Sequence, residues 1–152
     1  MIRILNSVTA LLLFALVNIT TLSTTVKAQD SNVEKENFTV SLKSCDRSVK
    51  IIKCNLLLTS KKKLNIQVNG RYSRIFDRVG NEYNAASVQV GNTEDYYRVN
   101  KQFLEGIPTK LILTFNEIPP EVKEIAVLDI SYDYYGDNIE FRNIVIFNRV
   151  KK

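Results

Sequence analysis

Apolar and polar residues alternate with a period of two along much of the chain beyond residue 37. Phe38, Val40 and Leu42 alternate with Thr39, Ser41 and Lys43, which is the pattern of a strand with one buried face. Ile52, Cys54, Leu56 and Leu58 share a face of the next run. Its stretch Leu56-Leu57-Leu58 is too apolar for an edge in water, so this strand is expected at the centre of a sheet. Leu64, Ile66 and Val68 alternate with Asn65, Gln67 and Asn69, and Gly70 is expected to end that strand. Residues 73–90 read as a hairpin. Gly80-Asn81 supplies its turn, and the return arm over 82–90 is closed by Gly91-Asn92. Residues 93–106 keep no clear period. Thr93 with Glu94 and Asp95 suits the start of one helical turn, followed by a short strand to Leu104. Further strands are predicted over 109–115, 124–132 and 140–147. Pro119-Pro120 cannot join a central ladder and belongs to a connection. In 124–132, Leu128 and Ile130 fall on one side, and Tyr132 continues it as a core residue.

Eight or nine short strands with turn residues between them and no long helix predict an all-β domain. The expected architecture is an antiparallel immunoglobulin-like β-sandwich of about 8 strands, with a closed barrel as the alternative. The chain has no Trp, and its two cysteines are too close in sequence for the inter-sheet disulfide of an antibody domain. They suit a different role. A turn over residues 48–51 sets Arg47 opposite Ile52, Asp46 opposite Lys53 and Cys45 opposite Cys54. One register therefore yields both an opposite-charge pair and a disulfide-clasped hairpin.

The first residues read as a leader. Arg3 precedes an apolar run over 8–17, a Thr- and Ser-rich stretch follows, and Val26-Lys27-Ala28 offers the small residues of a cleavage site. The apolar run is shorter than the roughly 20 residues of a membrane span, and no cysteine follows it to carry a lipid. The expected organisation is a signal peptide over 1–28, a flexible lead-in over 29–37 and a β-sandwich domain over 38–150. Losing Arg3 and Lys27 lowers the formal charge from +5 to +3. The basic residues are scattered apart from Lys61-Lys62-Lys63 and the Lys151-Lys152 tail. No aromatic interleaves with them, so nucleic acid is not an expected partner.

The chain contains no His, which excludes Ser-His and Cys-His nucleophile schemes. No acid pair sits on a glycosidase-like scaffold, and no Gly-rich phosphate loop occurs. The domain is accordingly read as non-catalytic, without cofactor or metal. Tyr132, Tyr134 and Tyr135 cluster with Asp133, Asp137 and Asn138 around one predicted turn. Tyr offers a rigid apolar face with a polar tip, so Tyr134 and Tyr135 are candidate recognition residues. Tyr96 and Tyr97 join them if residues 93–106 fold against the same end. Asp133, Asp137 and Asn138 are also a weak candidate calcium site, since hard cations take several oxygens. A solvated turn is the plain alternative to both.

The run from Cys45 to Cys54-Asn-Leu-Leu-Leu-Thr-Ser resembles an uncharacterised group of secreted cyanobacterial domains. So do Ser73-Arg74-Ile75-Phe76-Asp77, Gly80-Asn81-Glu82-Tyr83, Val88-Gln89-Val90-Gly91, Gly106-Ile107-Pro108-Thr109, Leu113-Thr114-Phe115 and Phe141-Arg142-Asn143-Ile144. The chain is also similar in plan to telokin-like, immunoglobulin-like domains of bacterial lipoproteins, without their anchoring cysteine. The resemblance implies fold and export and brings no catalytic residue. The expected function is an exported non-catalytic binding or interaction domain, periplasmic or secreted and not membrane-spanning once the leader is cleaved. Its partner would be a protein or a cell-envelope polymer. A structural accessory without its own ligand is the alternative, and a hydrolase the remote one.

Overall fold

The computed structural model describes residues 31–134 and 136–149. The leader expected over 1–28, Tyr135 and residues 150–152 lie outside the described residues. The strands are β1 (Ser31–Glu34), β2 (Phe38–Ser48), β3 (Ile51–Ser60), β4 (Leu64–Phe76), β5 (Glu82–Asn84), β6 (Ser87–Val90), β7 (Thr93–Asp95), β8 (Arg98–Phe103), β9 (Thr109–Phe115), β10 (Glu124–Tyr132) and β11 (Asp137–Asn148). There is no helix among the described residues.

The all-β class stands, but the expected eight-stranded antiparallel sandwich does not emerge as such. Eleven strands form one continuous sheet in the order β5-β4-β10-β11-β2-β3-β9-β6-β7, with β1 added to β2 and β8 to β4. The sheet curls into a half-barrel. The bend falls in β11, whose first part pairs antiparallel with β10 from Asp137 to Val145. Its last residues, Ile146 to Asn148, pair parallel with β2. Asn143, near the end of the antiparallel part, takes a left-handed φ of 56°. The inward set accordingly changes phase from Ile139 and Phe141 to Ile144 and Ile146. The β10–β11 register runs unbroken through this point, and β10 changes phase beside it, from buried Ile125 to buried Leu128. Across the molecule the chain passes between the halves at Ala85-Ala86. The Ala85 N–H donates to the Ser73 carbonyl (2.9 Å) and the Ala86 N–H to that of Thr114 (2.7 Å).

The core lies inside the curl. Ile52, Leu56, Leu113 and Phe115 come from one half and Ile66, Ile75, Leu128 and Phe141 from the other, in one buried cluster. β3 is central, between β2 and β9, and Ile52, Cys54, Leu56 and Leu58 are all buried. The clasped hairpin has the expected register, with Cys45 opposite Cys54, Asp46 opposite Lys53 and Arg47 opposite Ile52. Cys45 and Cys54 form a disulfide with their Cα atoms 4.0 Å apart. The Asp46 carboxylate, however, takes Arg149 (2.7 Å), Asn55 Nδ2 (3.0 Å) and Ser44 Oγ (3.0 Å) as partners.

Four expectations are corrected. The lead-in is not loose where it is described, because β1 pairs with β2 from Ser31–Leu42 to Glu34–Thr39 and Val33 packs on the core. Gly70 does not end a strand; β4 runs through it. The return arm after Gly80-Asn81 is split, since β5 stays with β4 while β6 crosses to β9. Residues 93–106 form no helical turn. The Gly91-Asn92 turn folds β7 back on β6, and Asp95 Oδ1 accepts from the Tyr97 N–H (2.6 Å) and the Arg98 N–H (3.2 Å), closing the next turn into β8. The period in β8 is disguised because Lys101 occupies the half-buried position between buried Val99 and Phe103. The three-residue strands β5 and β7 are largely exposed and polar, so alternation gives them no signal.

Candidate functional site

The convex side of β4 and β10 carries polar side chains that are nevertheless buried. Alternation sends Ile66 and Val68 inward and Gln67 and Asn69 outward, yet Gln67 is 8% and Asn69 5% exposed. Neighbours rise around them. The pairing of β4 with β10 runs from Val127–Phe76 to Asp129–Arg74, then jumps to Ser131–Asn69. Residues 70–73 of β4 therefore stand opposite Ile130 alone and arch out of the sheet. Ser73 Oγ staples the arch, donating to the Asn69 carbonyl (2.7 Å) and accepting from the Ser131 N–H (3.1 Å). At its foot, Gly70 allows a close approach. A Cβ there would lie 2.8 Å from the Tyr96 carbonyl oxygen and 2.9 Å from Val88 Cγ1.

The arch, the β7–β8 turn and the β10–β11 turn enclose a cleft of about 1260 Å³. Gln67, Asn69 and Ser131 form its floor. Arg71 and Tyr72 from the arch and Tyr96 and Tyr97 from the β7–β8 turn stand on one wall, with Arg98 and Asn100 of β8. Asp133, Tyr134 and Asn138 line it from the strands on the other side of β4, and Arg74, Glu82 and Asn84 close one end. The Arg71 guanidinium lies over the rings of Tyr72 (6.0 Å) and Tyr97 (5.7 Å). Tyr96 and Tyr97 meet edge to face with centroids 4.8 Å apart. Arg74 is held by Asp129 (3.1 Å) and Glu82 (3.2 Å), and those hydrogen bonds, Asp129's first, push its pKa up.

The floor has a direction. Gln67 Nε2 donates to Asn69 Oδ1 (2.6 Å), and Asn69 Nδ2 donates to Ser131 Oγ (3.3 Å) and the Asp133 carbonyl (3.1 Å). Gln67 Oε1 is left without a donor among the described residues, as is Asp129 Oδ1 beneath Arg74. Comparison with family models, curated proteins and solved structures returned no match.

The structure brings Tyr134, Tyr96 and Tyr97 to the same cleft, and Tyr135 lies outside the described residues. Tyr132 is a core residue, as alternation predicts. It packs edge to face on Phe38 at 5.3 Å, and burial, then the Asp137 and Asp133 carboxylates, raises its pKa. The calcium candidates divide between the cleft and the ladder. Asp133 and Asn138 open to the cleft, but Asp137 does not line it and pairs in the ladder opposite Tyr132. No group of three His, Cys, Asp or Glu gathers as metal ligands among the described residues. The disulfide is buried in the core away from the cleft lining.

Sequence reasoning did not single out Gln67, Asn69, Arg71, Asn100 or Ser131. One signal was present. Asn is disfavoured in strands, and Asn65, Gln67 and Asn69 put three amides on one face of a strand. A second concavity of about 350 Å³ beside Asp77, Tyr83 and Val122 abuts the β4–β5 turn. There Asp77 accepts from the Val79 and Asn81 N–H groups, the Asn81 amide and the Tyr83 hydroxyl. These bonds shape the turn.

Proposed function

We propose that this protein is an exported, non-catalytic binding domain and that the cleft on the outer side of β4, β8 and β10 is its recognition surface for a cell-envelope polymer. The observation that carries the reading is the buried polar floor under a rim of exposed tyrosines. Polar side chains on the convex side of a sheet ordinarily face water. Here the arch of β4 and two turns build walls around them, and a concave site with convergent polar groups is where ligands bind. The rim residues are those that dominate interfaces, Tyr and Arg.

Export is supported by the disulfide, which persists in oxidising compartments, and by the leader pattern. The described residues contain no helix long and apolar enough to cross a membrane. An immunoglobulin-like sandwich, as in the secreted cyanobacterial domains the sequence resembles, is the finer reading of the fold. The two facing halves and the strand shared between them favour it. The paired variant Tyr96→Ala with Tyr134→Ala tests the cleft. Both side chains are exposed, so the melting temperature should hold while retention of envelope material on immobilised protein falls. Equal retention by the variant would contradict the proposal.

A further inference from the structure

We infer that the ligand of this cleft is an uncharged glycan chain, which rests on reading the cleft as the recognition surface. The floor relay runs from Gln67 through Asn69 to Ser131 and the Asp133 carbonyl, and its first acceptor, Gln67 Oε1, has no donor among the described residues. Gln67 Oε1 is shielded as it stands, and a buried acceptor is costly to leave unpaired, so Gln67 gains a partner when its amide turns toward a ligand O–H. Sugar hydroxyls both donate and accept. Side-chain amides do the same from adjacent atoms, so Gln67 together with exposed Asn100 and Asn138 matches a surface of neighbouring hydroxyls.

The tyrosines answer the other half of sugar chemistry, the C–H face of the ring. Tyr72, Tyr96 and Tyr97 are exposed, and Arg71 lies over two of them. That contact holds flat apolar faces with polar tips at the rim. Tyr134 contributes a further ring from the opposite flank of β4.

Charge and backbone argue against other polymers. Arg71, Arg74 and Arg98 are balanced by Glu82, Asp95 and Asp133 around the cleft, and Arg74 is already engaged by Asp129 and Glu82. A polyanion finds no positive field there. An extended peptide would add to a free ladder edge, but β4 beneath the cleft is hydrogen-bonded by β8 on one side and β10 on the other. The volume of about 1260 Å³ exceeds the roughly 300–1,000 Å³ of small-molecule pockets and suits a length of chain.

The test is calorimetry of the purified protein with cellulose-type glucan oligomers, galactomannan and chitin oligomers, with polygalacturonate as the charged comparator. Binding to at least one uncharged chain is expected, weakened about tenfold or more by Tyr97→Ala and by Gln67→Met. Should Gln67→Met fail to fold, Tyr97→Ala and Asn100→Ala, both at exposed positions, carry the test. Envelope material retained by the protein should lose binding after periodate oxidation of its diols and keep it after protease treatment. The reverse sensitivity, with Tyr97→Ala still abolishing retention, would overturn the glycan and leave the cleft as the binding surface. Binding indifferent to Tyr97, Gln67 and Asn100 would overturn both readings. Preference for polygalacturonate over every uncharged chain, or no binding to any of the panel, would also overturn the glycan.

Discussion

Arg47 is a charged residue used as a structural clamp. Its guanidinium donates to the carbonyls of Ile118 (3.2 Å), Pro119 (3.1 Å) and Val122 (2.6 Å), and to that of Val49 (3.4 Å). These carbonyls belong to the Pro119-Pro120 connection and the β2–β3 turn. Burial lowers its pKa, opposed by the Glu121 carboxylate. Arg47→Ala leaves several buried acceptors unpaired and should cost about 3 kcal/mol in urea unfolding. Lys should recover only part of this, because it lacks the planar fork. Unchanged stability in Arg47→Ala would show that the clamp does not hold the connection. Sequence alone contained a clue, since Arg47 lies two positions beyond the inward-facing Cys45. What it bonds depends on where residues 118–122 return, and no local pattern tells that. Tyr132 was legible and Gln67 was not for the same reason. Facing inward follows from alternation, whereas burial of an outward face follows from distant turns.

Strand existence and partner register follow from local chemistry, and strand continuity does not. The central β3, the clasped hairpin and the bounds of β9 and β10 can be read from apolar alternation and turn residues. The breaks of phase cannot. The β2–β3 pairing shifts between Leu42 and Ser44, so Phe38, Val40 and Leu42 face inward with Cys45 and Arg47 rather than opposite them. Such bulges obscure the period in sequence and supply the curl in space. The arch of β4 is the most consequential, because it makes a cleft wall from residues that read as a strand end and a hairpin arm. The β4–β5 turn gives a prediction at this scale. Burial raises the Asp77 carboxyl, but the hydrogen bonds from Asn81, Val79 and Tyr83 prevail and leave its pKa below the usual value. A carboxyl lowered by folding contributes stability above its unfolded value of about 3.9, and that contribution is lost as pH falls through the folded value. The native protein should therefore lose more stability between pH 5 and pH 3, as about one pH step on either side of that value, than Asp77→Asn does. Equal losses would remove Asp77 from the acid response.

At the scale of the molecule, one sheet closes over one core because β11 belongs to both halves. The β2–β3 hairpin is the part of the core that its register and disulfide fix earliest in sequence. Cys45→Ala with Cys54→Ala should lower stability by about 2–3 kcal/mol from loop entropy, with further loss from the two small gaps. The cleft should nonetheless keep its binding, since neither cysteine lines it. The molecule thus separates a stability element from a recognition face. The most direct measurement of that separation is a titration of isotope-labelled protein with a bound envelope polysaccharide, read by the side-chain amide signals. Gln67, Asn69, Asn100 and Asn138 should shift together with the backbone of Tyr97, while Asn55 and Asn148 stay still. Shifts confined to the Lys61-Lys62-Lys63 turn, or spread evenly over both faces of the sheet, would contradict it.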